Sequence, residues 1–283
     1  DYYNKYIKYK NKYIQLKNQI GSSTDNQIAF LFMTRKDVNY PNIWKKYFEN
    51  NENKYDLYIH PKNPKEVKSF LKNNIINEYV ETQWGDISLT KVMIALLKQA
   101  FKNNKNNTFV FLSESCLPVK NFNTFYNKFN NIKKSYFTLG NYSGQHMSRF
   151  KYLNNPKKFG INKKNFYKSE TWCILCREHV KTILQNYITW LPVFKDVYIP
   201  EEHFFITLIL IKHDKKSFLD YKTTFTYWNL KISKKHPVTF GPFINKKHKK
   251  IIINKLNTEF FARKFKYEKN NNIKEFILKL IKI

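Results

Sequence analysis

The stretch Phe109-Val110-Phe111-Leu112, running into Ser113-Glu114-Ser115-Cys116-Leu117-Pro118, decides how the rest of the chain is read. Four consecutive large apolar residues bounded by polar ones predict a strand buried on both faces. Ahead of it, Ser88 to Phe101 predicts a long helix entered through the turn Trp84-Gly85-Asp86. Two more buried strands are expected earlier, Ile28 to Met33 (I-A-F-L-F-M) and Tyr55 to His60 (Y-D-L-Y-I-H), the second closed by Pro61. Helical segments around Trp44 to Phe48 and Val67 to Leu71, and a short strand at Glu78 to Thr82, fill the intervals. Buried strands alternating with helices imply an α/β fold with a mostly parallel, Rossmann-like central sheet flanked by helices. In such sheets ligands bind beyond the carboxyl ends of the strands. Thr34, His60 and Ser113 stand at those ends, with Glu114 and Trp84 as further candidates for the same cleft. For each of these residues, plain packing is the alternative.

Downstream the pattern is less regular. Strands are expected at Tyr136 to Leu139, Thr171 to Cys176 and Phe225 to Leu230, the last carrying Trp228, and a helix at His179 to Tyr187. A polar loop at Gly140 to Tyr152 holds His146 and Arg149. Tyr198 to Leu208 (Y-I-P-E-E-H-F-F-I-T-L) sets Glu201, Glu202 and His203 at the mouth of an apolar element. Desolvation there can raise a carboxylate pKa and suit it to base work. The alternative is a helix start, where glutamates complement the macrodipole. Near the end, Glu259 to Phe265 (E-F-F-A-R-K-F) puts Arg263 and Lys264 beside buried aromatics.

With 283 residues the chain can bury roughly 75% of its unfolded surface without staples. Residues 25–283 are expected to form one domain, and 25 Phe and 20 Tyr argue against disorder. Residues 1–24 read as a lysine- and tyrosine-rich helical leader ending in the linker Gly21-Ser22-Ser23-Thr24. No apolar run approaches the length of a membrane span. The net charge of +30 raises the alternative of a basic nucleic-acid-binding or virion-packing protein. Yet only Arg35, Arg149, Arg177 and Arg263 are arginine, and the planar arginine fork is what base readers favour. Nonspecific polyanion binding that fades with salt is expected. Cys116, Cys173 and Cys176 form no disulfide framework and read as small buried hydrophobes. The chain has no G-x-G-x-x-G, Walker loop, H-E-x-x-H or Asp-x-Asp.

Taken in order, I-A-F-L-F-M, Y-I-H-P, W-G-D-I-S, F-L-S-E-S-C-L-P, W-C-I-L-C-R-E-H, P-E-E-H, W-N with H-P-V-T-F, and F-A-R-K-F resemble the core-2/I-branching β-1,6-N-acetylglucosaminyltransferase family, which includes peptide xylosyltransferases and plant members. The likeness spans about residues 27 to 267. It implies a GT-A fold and an inverting transfer of a GlcNAc- or xylose-like sugar, with no metal or other cofactor. The expected partners are a nucleotide sugar, UDP-linked, and a hydroxyl on a glycan or glycoprotein. Pro200-Glu201-Glu202-His203 takes the place of the family's P-D-E-H, which makes Glu202 the catalytic base. Phe261 to Phe265 takes the place of F-A-x-K-F and assigns Lys264 to the donor diphosphate. Arg263, Lys234 and Lys235 are candidates for a second cation there. Thr34, His60, Trp84, Ser113 and Glu114 fall to the nucleotide sugar, Arg149 and Trp228 to the acceptor. The family's aspartate after Ile-His is replaced by Pro61 and Lys62. The leader resembles N-termini from large DNA viruses with AT-rich genomes. That implies a host cytoplasm or virion location, or the Golgi or ER lumen if an upstream anchor has been removed.

Overall fold

The computed structural model describes residues 26–140, 147–229, 231, 236–241, 244–254, 258–267 and 272–282. The leader, His146, Lys234 and Lys235 lie outside them. The core is a six-stranded sheet in the order β2-β1-β3-β6-β5-β7. β1 (Gln27–Thr34) runs parallel to both β2 (Tyr55–Pro61) and β3 (Asn106–Ser113). β6 (Ile174–Cys176) is antiparallel to both β3 and β5 (Ser135–Phe137), and β7 (Phe218–Asp220) returns parallel to β5. The expected α/β fold with a mostly parallel sheet flanked by helices is the one adopted.

Both faces of the sheet are covered, which is why its central strands carry no polar alternation. The strand period of two still divides β1: Ile28, Phe30 and Phe32 face one core, Ala29 and Leu31 the other. The first core is aromatic. Phe30 packs edge-on to Phe48 at 4.9 Å and Phe32 edge-on to Trp44 at 5.0 Å, both from α1 (Pro41–Phe48). α3 (Phe122–Phe129) and α7 (Ile273–Lys282) complete that layer. Between α3 and α7 in sequence comes α6 (Lys246–Asn254), which gives the same core Ile252. Opposite, α2 (Ile87–Phe101), α4 (Arg177–Trp190) and α5 (Phe204–Lys212) bury Leu96, Ile183, Phe204 and Leu208. Asp86 caps α2 by accepting from the Ser88 N–H at 2.8 Å.

Several expected elements are shorter or different. Glu78 to Thr82 is not a strand: past the Ile59–Ile75 bridge, His60 Nε2 accepts from the Val80 N–H at 3.0 Å and replaces a ladder. Val67 to Leu71 is not a helix. Asp37 takes the Lys68 and Ser69 N–H groups, and a 3₁₀ turn at Phe70–Asn74 follows. The strand read at Thr171 to Cys176 pairs only at Ile174–Cys176, because Cys173 N–H turns back onto the Thr171 carbonyl. Phe225 to Leu230 contributes only β8 (Thr224–Thr226), so Trp228 lies beyond the strand. A small second sheet, β4-β9-β8, pairs β9 (Phe261–Arg263) antiparallel with β4 (Leu117–Pro118) and parallel with β8. This sheet carries the end of β9 back to the loop that leaves β3.

Candidate active site

The pairing of β4 with β9 sets Leu117 opposite Ala262, and the Phe265 N–H bonds the Ser115 carbonyl at 2.9 Å. Arg263 and Lys264 therefore face the Ser113–Cys116 turn at the carboxyl end of β3. Ser113 Oγ lies 3.1 Å from Ser115 Oγ, and Glu114 meets Arg35 at 3.5 Å. The Arg263 guanidinium lies 4.1 Å over the Trp172 ring, and its buried Nε has no partner among the described residues. Burial, then the charges of Arg263 and Arg35, push the Lys264 ammonium below the usual lysine range, with Glu114 opposing. Three cations thus converge on a place where Glu114 answers them and Glu170, itself shared with Lys222, adds to the field at Arg263, an arrangement that favours an incoming anion.

A second group forms around the Pro200–Glu202 turn. Ile199 enters it at φ 53°, a backbone conformation that a β-branched residue avoids, and its N–H is tied to the Gly85 carbonyl at 3.0 Å. Side chains of successive residues then diverge. Glu201 points inward at 6% exposure, one oxygen unpartnered among the described residues. Glu202 turns outward: its Oε2 accepts from Arg149 Nη1 at 3.0 Å and meets Lys168 at 3.4 Å, with side-chain exposures of 22% and 17% for Glu202 and Arg149. His203 stacks on Phe166 at 4.4 Å, donates from Nδ1 to the Tyr167 carbonyl at 2.8 Å, and sets Nε2 at 3.3 Å from Arg149. Neither glutamate caps α5, whose N-cap is His203 with no side-chain hydrogen bond to the helix's own N–H groups.

Burial perturbs the Glu201 carboxyl strongly. Desolvation, with smaller contributions from Glu202 and Asp86, pushes it up to about 8. Because the folded pKa exceeds the unfolded one, this group's contribution is fully present below the usual carboxylate range. It is lost as pH rises towards about 8. Glu201→Gln, which cannot ionise, should therefore gain stability relative to the parent between about pH 5 and pH 9. Melting temperatures of both proteins across that range check it, and a pH-independent difference would show that Glu201 is already charged.

The two groups are joined by one short segment. Lys168 reaches Glu202, the Ser169 N–H bonds the Glu202 carbonyl at 2.8 Å, and Glu170 lies in the field of Arg263 while meeting Lys222 at 3.5 Å. Burial raises the Glu170 pKa. Of the residues anticipated from sequence, Ser113, Glu114, Arg263 and Lys264 share one group, and Glu202 and Arg149 the other. Trp84 joins the second group, edge-to-face with Tyr198 at 5.5 Å, which in turn carries Arg149 at 5.5 Å. Thr34 ends β1 with its hydroxyl buried, and the His60 ring is occupied by Val80 and stacked on Tyr79. Trp228 is 53% exposed, so the core position that a tryptophan usually takes is not the one it has. Arg35, Lys168, Glu170 and Tyr198 were missed as site residues. Only Arg35 had a signal, its position directly after a strand end.

Gly85 has φ +80°, and a Cβ there would come within 2.7 Å of Tyr198 Cε2. Gly85→Ala should destabilise the protein by about 1–3 kcal/mol in a denaturant titration, since strain and displacement of Tyr198 act together.

The sequence model of the Core-2/I-Branching enzyme family matches residues 28–261. Glycosyltransferase BC10 of Oryza sativa subsp. japonica is 24% identical over 254 residues, 76% of this chain. The chain spans 62% of that relative's length. Among solved structures, the WbbM bifunctional glycosyltransferase overlaps 90% of this chain and 50% of its own at 10% identity and a TM-score of 0.43. A197 from STIV overlaps 56% and 69% at 12% identity and a TM-score of 0.27. Structural likenesses of that size carry nothing about a site.

Proposed function

The chain belongs to the Core-2/I-Branching enzyme family, and from that premise we propose that it is an inverting glycosyltransferase working without a metal. It moves a GlcNAc- or xylose-like sugar from a UDP-linked donor to a hydroxyl of a glycan or glycoprotein. The observation that carries the reading is the pair of groups at the two ends of the Lys168–Trp172 segment: an accessible carboxylate at one, a cluster of cations at the other.

Glu202 is the base, because a base must reach the hydroxyl it serves, and Glu201 is almost closed to solvent. As Glu202 takes the acceptor's proton, the acceptor oxygen bonds the anomeric carbon from the face opposite the diphosphate. The bond from that carbon to the phosphate oxygen breaks. Lys264 and Arg263 then offset the charge that builds on the departing diphosphate. Ser113 and Glu114 belong to the same end of the cleft. No helix among the described residues is long and apolar enough to cross a membrane.

UDP and duplex DNA binding compared across a salt series tests this against the nucleic-acid-binding alternative. UDP binding that persists at about 0.5 M salt is the expected result, with DNA binding fading steeply as counterion release requires. DNA binding with no UDP binding would contradict it.

A further inference from the structure

A continuous surface leads up to Glu202. It begins at Trp84, 64% exposed, with His236 at 6.1 Å on one side and Tyr198, 48% exposed, edge-on at 5.5 Å. Gly85 lies under Tyr198 so closely that any side chain would collide with it, and the Gly85 carbonyl holds the next residue, Ile199. The ledge is thereby fixed to the turn that carries Glu202. Tyr198 passes contact to Arg149, which bonds Glu202, and Lys168 closes the other side. Exposed aromatic rings with an apolar body suit the CH face of a pyranose.

The charges around Glu202 add a second requirement. In the free protein two cations, Arg149 and Lys168, answer one carboxylate. When Glu202 accepts a proton, both lose the carboxylate they share among the described residues, in a partly closed site, which is costly. We infer that the acceptor is an acidic glycan, its sugar ring lying on Trp84 and Tyr198 and its carboxylate meeting Arg149 and Lys168 as Glu202 becomes neutral. This rests on Glu202 as the base. The carboxylate also explains why a base should be flanked by cations at all: they hold the acceptor once the proton has moved.

The test uses a matched pair of probes, methyl β-D-glucuronoside and methyl β-D-glucoside, titrated by NMR against the full chain at about 0.15 M salt. The glucuronoside should bind about tenfold tighter or more, the increment of one charge-assisted contact. Arg149→Gln should cut that preference to about twofold or less, and Lys168→Gln should reduce it in the same direction. Trp84→Ala should weaken both probes alike. UDP affinity should stay unchanged in all three variants. Equal binding of the two probes by the parent, or a preference that survives Arg149→Gln, would overturn the acidic acceptor and would trace any residual binding to surface lysines. Neither outcome touches UDP binding or the effect of Glu202→Gln on turnover, so the acceptor inference and the transferase reading fail separately.

Discussion

Glu202→Gln is expected to fold, to bind UDP as the parent does, and to lose about 10²- to 10⁴-fold in turnover. The amide is nearly isosteric and still accepts from Arg149, so the geometry at 3.0 Å should persist while the capacity to take a proton disappears. Glu201→Gln is the internal control. Its side chain is buried away from the opening and held neutral by desolvation, so it should cost far less turnover and should show itself mainly in the pH dependence of stability. If both residues served only to start a helix, the two substitutions would have similar small effects on melting temperature and none on rate. Initial rates and melting temperatures for both variants separate these outcomes. Glu202→Gln retaining more than about a tenth of parental turnover would remove it from the chemistry.

Lys264→Ala is expected to weaken UDP binding by about 10- to 100-fold, the worth of a hydrogen bond to a charged group in a partly closed site. The ammonium lies among Arg263, Arg35 and Glu114, so an anion arriving there relieves like-charge repulsion as well as gaining a contact. Lys274→Ala, on the exposed side of α7, removes the same formal charge without touching the cleft and should leave affinity within about twofold. Isothermal titration of UDP into both variants checks the prediction. Equal losses would mean that the overall positive field, rather than this site, holds the nucleotide.

How much of this was legible beforehand depended on whether the signal was local. Phe109 to Leu112 and Ile28 to Met33 announce buried strands because nothing but a covered sheet hides so many large apolar residues in so few positions. Asp86, three residues into W-G-D-I-S, announces the start of α2 as an N-cap. The divergence of Glu201 from Glu202 was not legible. It is set by Ile199 in the left-handed region, held there by Gly85 more than a hundred residues earlier in the chain. For the same reason Lys168 carries no local signal: it is brought to Glu202 by the bond from the next residue's N–H, that of Ser169, to the Glu202 carbonyl. Trp84, expected with the nucleotide sugar, lies edge-on to Tyr198, which carries Arg149, a juxtaposition that no local pattern announces and on which the proposed acceptor ledge is built. Arg263 and Lys264 were found by motif, but what brings them to the turn after β3 is the β4–β9 pairing, between residues with no shared local pattern.

The most direct measurement of the central claim is the fate of an α-linked UDP-sugar in the presence of EDTA. A panel of UDP-GlcNAc, UDP-xylose and related donors is incubated with an acceptor, and product is followed by NMR at the anomeric proton. The account predicts a β-configured product whose rate is unaffected by the chelator and falls by about 10²-fold or more in Glu202→Gln. An α-configured product, or activity abolished by EDTA and restored by a divalent metal, would contradict it.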